Sequence, residues 1–325
     1  MAHRITNMSM IDNYNRNLNQ NLRKMENYQR QISTGRKIVR LSDDPVNVVK
    51  VVNAKDRLLD VEQYGKNLND AGAWLNASET ALNDLNSIVA RCYELSVYAA
   101  NDIFGADEKQ AMVYELSQLR EHVITLANST LGDKYIFGGY NVTYEPFAAE
   151  LDADDVPTGE VLVNREPMVY GDGDEEFISF ELGMGLLFEV GVSANAFLGV
   201  EEEGNIYYQI TKLIETLSNE SSNSDSTDPT DPGDLAIRPF VGIMQQLQKN
   251  VLAVLSDVGG RSARIEMMVN RYSRDFVNYS QMQSDVEDLD YAEGMMYFSM
   301  AESVYRSALS IGGRVLQPTL LDFLN

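Results

Sequence analysis

Few side chains in this sequence could carry out chemistry. The imidazoles are His3 and His122, the one thiol is Cys92, and the carboxylates gather in "DADD" at 152–155 and "GDGDEE" at 171–176. A nucleophilic triad needs a histidine between a nucleophile and an orienting acid, and a structural zinc site needs four nitrogen or sulfur ligands. Two histidines and one cysteine, scattered along the chain, supply neither. His122, in "REHVIT" beside an apolar helical position, reads as an ordinary, partly exposed histidine, and Cys92 falls on an apolar seam where a thiol behaves as a small hydrophobe. The acid clusters invite calcium, but "DADDVP" has Pro157 where a calcium loop requires the glycine of its sharp turn. No phosphate loop, dinucleotide fingerprint or HExxH is present. The sequence therefore predicts no catalysis, no metal and no cofactor.

The remaining composition narrows the class. The formal charge of −23 repels nucleic acid and anionic membranes over most of the molecule. It is unevenly placed: residues 148–204 hold fifteen acids against Arg165 alone, whereas residues 1–60 hold eleven bases against six acids. One cysteine excludes an internal disulfide framework. No apolar run approaches the ~18 residues of a membrane span, and the opening "MAHRITNMSMIDNYNRNLNQ" lacks the apolar region of a secretory signal.

The elements are helices with narrow apolar seams. Met8, Ile11, Leu18, Leu22, Met25 and Ile32 recur at steps of three and four, with Asn15 and Gln29 filling the two remaining seam positions. Gly35 ends that helix, and Asp44 followed by Pro45 starts another, because a carboxylate caps orphan N–H groups and proline at the first position gives up only an orphan donor. From Leu68 to Ala99 a seam of Leu68, Ala71, Leu75, Ser78, Leu82, Leu85, Val89, Cys92, Ser96 and Ala99 runs unbroken, as in a bundle or coiled coil. A helix is predicted over about 107–129, then a hairpin in "GDKYIFGGYNVTYEPF". Helices return at about 206–218 and 235–256, and Gly259–Gly260 leads into a last helical region. Its second seam is Tyr297, Ala301, Val304, Ala308, Ile311 and Val315.

The fold expected is mainly α: an elongated antiparallel helical bundle or coiled coil built from both chain ends, with a small β-rich insertion. Segments 1–42 and 288–325 are the terminal helical part, 43–147 and 205–287 the bundle with its hairpin, and 148–204 an outer β-rich domain.

Four stretches carry a resemblance: "RQISTGRKIVRLSDDPVNVVK" (30–50), "WLNASETALNDLNSIVARCYELSVYAAND" (74–102), "LGDKYIFGGYNV" (131–142) and "VLQPTLLDFL" (315–324). In order and combination they resemble the bacterial flagellin-type axial proteins. The Asp43-Asp44-Pro45 run, the "FGG" segment and the "QPTLLDFL" ending are similar to the hook-filament junction type rather than to the filament subunit, a short flagellin, which is the alternative. A secreted coiled-coil adhesin would share only the seams. The acidic loop at 218–234 and the extra Asn325 depart from the pattern. The resemblance implies a structural protein of the flagellum, exported by a type III apparatus without a cleaved signal. It implies a homo-oligomeric ring between the first hook-associated protein and flagellin, and a cytoplasmic export chaperone at the C-terminal region.

The tail suits such a role. Burying Val315, Leu316, Leu320, Leu321, Phe323 and Leu324 is worth ~1.5–3 kcal/mol each, while fixing each of the backbones from 315 to 325 costs ~1–2 kcal/mol. The two nearly cancel. Together with Met8, Ile11, Leu18, Leu22, Met25, Ile32, Val304 and Ile311, these residues form the expected assembly and chaperone interface.

Overall fold

Asp44 and Pro45 set the first long helix as the sequence predicts. In the computed structural model, which describes residues 7–40, 42–100, 105–139, 142–151, 157–163, 166–167, 177–192, 194–198, 204–222 and 232–315, α1 is Asn7–Thr34 and α2 is Pro45–Ala99. One Asp44 carboxylate oxygen accepts from the N–H groups of Val46 (3.2 Å) and Asn47 (3.1 Å), and the other from the Asn47 amide at 2.7 Å. These bonds, led by the Asn47 backbone N–H, hold the Asp44 carboxyl below its ordinary 3.8. All ten seam positions from Leu68 to Ala99 are buried, Cys92 among them, and burial pushes its thiol up to about 12. It is a packing residue and a poor nucleophile.

Around that seam pack α3 (Ala106–Ala127), α5 (Ile206–Ser222) and α6 (Pro232–Glu287). Asn205 starts α5, its side-chain oxygen accepting from the Tyr207 N–H at 2.8 Å. Ile206, Ile210, Leu213 and Leu217 then face inward. In α6 the buried positions Ile237, Met244, Val251, Val258 and Ile265 lie seven residues apart, with Phe240, Leu247, Val254 and Met268 on the companion positions of the heptad. The heptad passes through Gly259–Gly260, and α6 is one helix of 56 residues where the sequence reading places a break. Two glycines cost about 1 kcal/mol each inside a helix; five buried seam residues outweigh that.

The β structure also differs from expectation. The hairpin after α3 is two residues a side, β1 (Thr130–Leu131) and β2 (Lys134–Tyr135). It turns at Gly132, whose φ of +62° favours glycine; Gly139, at φ +61°, serves a separate reversal across which the Tyr135 N–H donates to the Val142 carbonyl at 3.0 Å. Beyond β2, Ile136 and Phe137 are buried, the Phe137 ring 4.7 Å from Phe197. Strands β3 (Phe147–Leu151), β4 (Pro157–Val163) and β5 (Glu166–Pro167) form one antiparallel sheet, and β6 (Ser179–Gly183) pairs with β7 (Leu186–Glu189) in a separate hairpin, followed by the short α4 (Ala194–Leu198). These strands close no core of their own. Phe147, Val161, Leu182, Val190 and Leu198 join the helical core. Side-chain bonds reinforce the union: Tyr272 donates to the Leu182 carbonyl at 2.6 Å and Asn67 to the Glu181 carbonyl at 2.7 Å.

Contacts divide the chain into two compact units, 1–62 with 274–325, and 63–273. The sequence reading places its borders at 42/43 and 287/288 instead; both contact borders fall inside helices, α2 and α6, where composition gives no signal.

Candidate assembly surface

The stretch "STGRKIVRLSDDP" builds a joint. Gly35, at φ +68°, lets the chain leave α1 in the left-handed conformation. Its carbonyl accepts from the Leu289 N–H at 3.0 Å, and the Lys37 N–H donates to the Glu287 carbonyl at 2.7 Å. The α1–α2 link is thus paired, antiparallel, with the turn between α6 and α7 (Tyr291–Val315). Asp43 braces the link by accepting from the Arg40 N–H at 2.8 Å. Asp290 caps α7, accepting from the Ala292 N–H at 2.8 Å.

Glu287 holds the joint together. Its side chain is 5% exposed and meets Lys55 at 2.9 Å and Arg36 at 3.1 Å, while Gln283 donates to its second oxygen at 2.7 Å. Burial alone would push its carboxyl up; the bonds from Gln283 and Lys55 and the charges of Lys55 and Arg36 outweigh burial and hold it below its ordinary 4.5. A groove of about 500 Å³ opens beside it, lined by Arg36, Ile38, Val39, Arg40, Val52 and Lys55 among others.

Beyond the joint α1 and α7 pack antiparallel. Tyr291 donates to the Ile32 carbonyl at 2.6 Å and Tyr14 to the Ala308 carbonyl at 3.0 Å, with Tyr28 stacked on Tyr297 at 5.7 Å between them. The inward face of α1 is Ile11, Tyr14, Leu18, Asn21, Met25, Tyr28 and Ile32; that of α7 is Gly294, Phe298, Ala301, Tyr305, Ala308 and Gly312. Both keep steps of three and four. The small residues of α7 admit the tyrosines of α1, and at Gly312 the Tyr14 ring occupies the space a Cβ would need.

This corrects the expected seams. Ile11, Leu18, Met25 and Ile32 are half-buried, but Leu22 is exposed and Asn21 takes its place, while Tyr14 and Tyr28 replace Asn15 and Gln29. On α7 the expected Val304 and Ile311 are 50% and 58% exposed. They belong to a second stripe, Met296, Met300, Val304 and Ile311, that α1 leaves uncovered. The side chains of Met8 and Val315, and residues Leu316, Leu320, Leu321, Phe323 and Leu324, lie outside the described residues. Sequence reasoning missed Arg36, Lys55 and Glu287 because their pairing spans more than 200 residues; a lone acid at the end of a helix carries no periodic signal.

Among the described residues no cluster of three or more His, Cys, Asp or Glu could hold a metal ion, and no helix is long and apolar enough to cross a membrane. What the arrangement offers is a fastened helix pair with apolar surface left over. Residues 5–142, the stretch from α1 through the β1–β2 hairpin, match the model of the bacterial flagellin N-terminal helical region. The flagellar hook-associated protein 3 of Escherichia coli (strain K12) is 23% identical over 289 residues, which are 86% of this chain and 87% of that protein. The chain is thus similar to flagellin-type axial proteins at its N-terminal helical region and, at low identity, over most of its length. It is similar also to the flagellar filament 33 kDa core protein of Treponema phagedenis, 22% identical over 93% of this chain and 91% of that one. The crystal structure of Xanthomonas campestris FlgL shares the fold, with a TM-score of 0.57 at 16% identity over 71% of this chain and 99% of that one. Members of these families are structural proteins of the bacterial flagellum, an extracellular appendage, and associate with other flagellar proteins.

Proposed function

We propose that this chain serves at the junction between hook and filament, forming a homo-oligomeric ring between the first hook-associated protein and the first flagellin subunits. The observation that carries the proposal is the second apolar stripe of α7, with Val304 and Ile311 half exposed or more although α7 is already packed on α1. A helix pair that leaves such a stripe uncovered has a further protein surface to meet. Similarity to a hook-associated protein 3 over most of both chains favours the junction.

In this proposal Leu22, Val304 and Ile311, with Met8, Val315, Leu316, Leu320, Leu321, Phe323 and Leu324, supply the contacts between subunits, while Ile11, Leu18, Met25 and Ile32 fasten α1 to α7 within the chain. The terminal segments 1–42 and 288–325 form the axial part, and the acid-rich side of 148–204, opposite the side chains it buries in the helical core, is an outer surface. The C-terminal region is held by a cytoplasmic chaperone before export through the flagellar type III apparatus without a cleaved signal.

The near full-length similarity to a filament core protein supports a second reading, a short flagellin. Imaging of purified hook-filament preparations labelled for this chain separates the two. Label confined to the junction is the expected result; label along the filament makes it the filament subunit, and absence of label from the appendage removes both.

A further inference from the structure

The uncovered stripe of α7 is half methionine. Met296 and Met300 are 52% and 59% exposed and stand one helical turn apart, with Val304 one turn further on. Met295 and Met282, at 49% and 58%, add further exposed thioethers nearby in the chain, whereas Met244 in the helical core is fully buried. A thioether is nucleophilic at sulfur whatever the pH, and exposure decides which methionines meet an oxidant.

We propose that Met296 and Met300 are oxidation sites whose conversion to sulfoxide disables the assembly stripe. A sulfur lone pair attacks one oxygen of hydrogen peroxide; the S–O bond forms as the O–O bond breaks, the sulfur is oxidised by two electrons and the peroxide leaves as water. The product places a polar, chiral S=O group in a stripe otherwise made of Val304 and Ile311. A partner that buries the stripe must then desolvate two sulfoxides or leave them unbonded. Because neither methionine is part of the α1–α7 seam, the fold is untouched. The inference rests on the proposed role of the stripe in assembly.

The test exposes the full chain to dilute hydrogen peroxide and maps each methionine by peptide mass. Met296 and Met300 are expected to oxidise at least ~10-fold faster than Met244, helical circular dichroism to be retained, and binding to isolated hooks to weaken about tenfold or more. M296L/M300L, whatever its own affinity for hooks, should bind them equally before and after peroxide. Equal oxidation of Met296, Met300 and Met244, unaltered hook binding by the sulfoxide form, or peroxide-sensitive binding by M296L/M300L would each overturn the inference. V304S/I311S, without oxidant, separates the two proposals. If it binds hooks normally, the stripe is not the assembly face and both fall; if it fails to bind while the oxidised parent binds, only the oxidation inference falls.

Discussion

Glu287 concentrates at one residue what the joint needs: an acceptor for Arg36, Lys55 and Gln283, and a backbone carbonyl for Lys37. Its carboxyl lies below its ordinary 4.5 in the folded chain. The unfolded state therefore binds the proton more readily, and the stabilisation is fully present above about pH 4.5 and is lost as pH falls through the folded value. Arg36 and Lys55 are 56% and 41% exposed, so water takes them up when the acid is removed. The cost of E287Q is then nearer ~1–2 kcal/mol than the ~3–5 of breaking a wholly buried pair. Thermal unfolding of parent and E287Q from about pH 3 to 7 should show a gap that is widest at neutral pH and closes below about pH 4.5. A gap that stays constant with pH would assign the effect to shape and not to charge.

Among the elements, legibility followed length of pattern. The seam from Leu68 to Ala99 could be read residue by residue because ten positions fix one phase, and every member is buried. In α1 the same reasoning slipped by one position, to Asn15 and Gln29 in place of Tyr14 and Tyr28, and what selects the tyrosines is the glycine and alanine face of α7. G312A tests that complementarity. With the Tyr14 ring against Gly312, a methyl group forces the ring away from the Ala308 carbonyl, at about 1–3 kcal/mol for an overpacked contact. Hydrogen exchange should quicken in α1 and α7 while amides of Leu75 to Val89 keep their protection; unchanged exchange in α1 would mean the pair tolerates the insertion. Glycine misled in the opposite sense in α6. At Gly259 and Gly260 an added Cβ meets nothing within 4 Å, so G259A/G260A should raise stability by about 0.5–1 kcal/mol per site in denaturant titration. A loss would show that the pair serves a bend.

Taken whole, the molecule separates stability from association along its length. Among the described residues almost all buried apolar side chains lie within 63–273; in the other unit Val51, Ala54 and Val61 are those that reach burial. Local free energies of opening follow such burial, so the terminal helix pair is held by its tyrosine bonds, the Glu287 joint and a half-buried seam, and keeps apolar surface in reserve. Two double substitutions should part the functions. V304S/I311S changes side chains that are half exposed or more and should alter the melting transition by no more than ~0.5 kcal/mol, yet abolish hook binding and filament growth beyond the hook. L82S/L85S, at positions 1% and 3% exposed, should do the reverse in kind. Each change opens a cavity and buries a hydroxyl, costing ~2–5 kcal/mol, and whatever fraction stays folded should still dock on hooks. Filament growth that survives V304S/I311S, together with an early melt of that variant, would mean the stripe is intramolecular core and the uncovered face belongs to the fold itself.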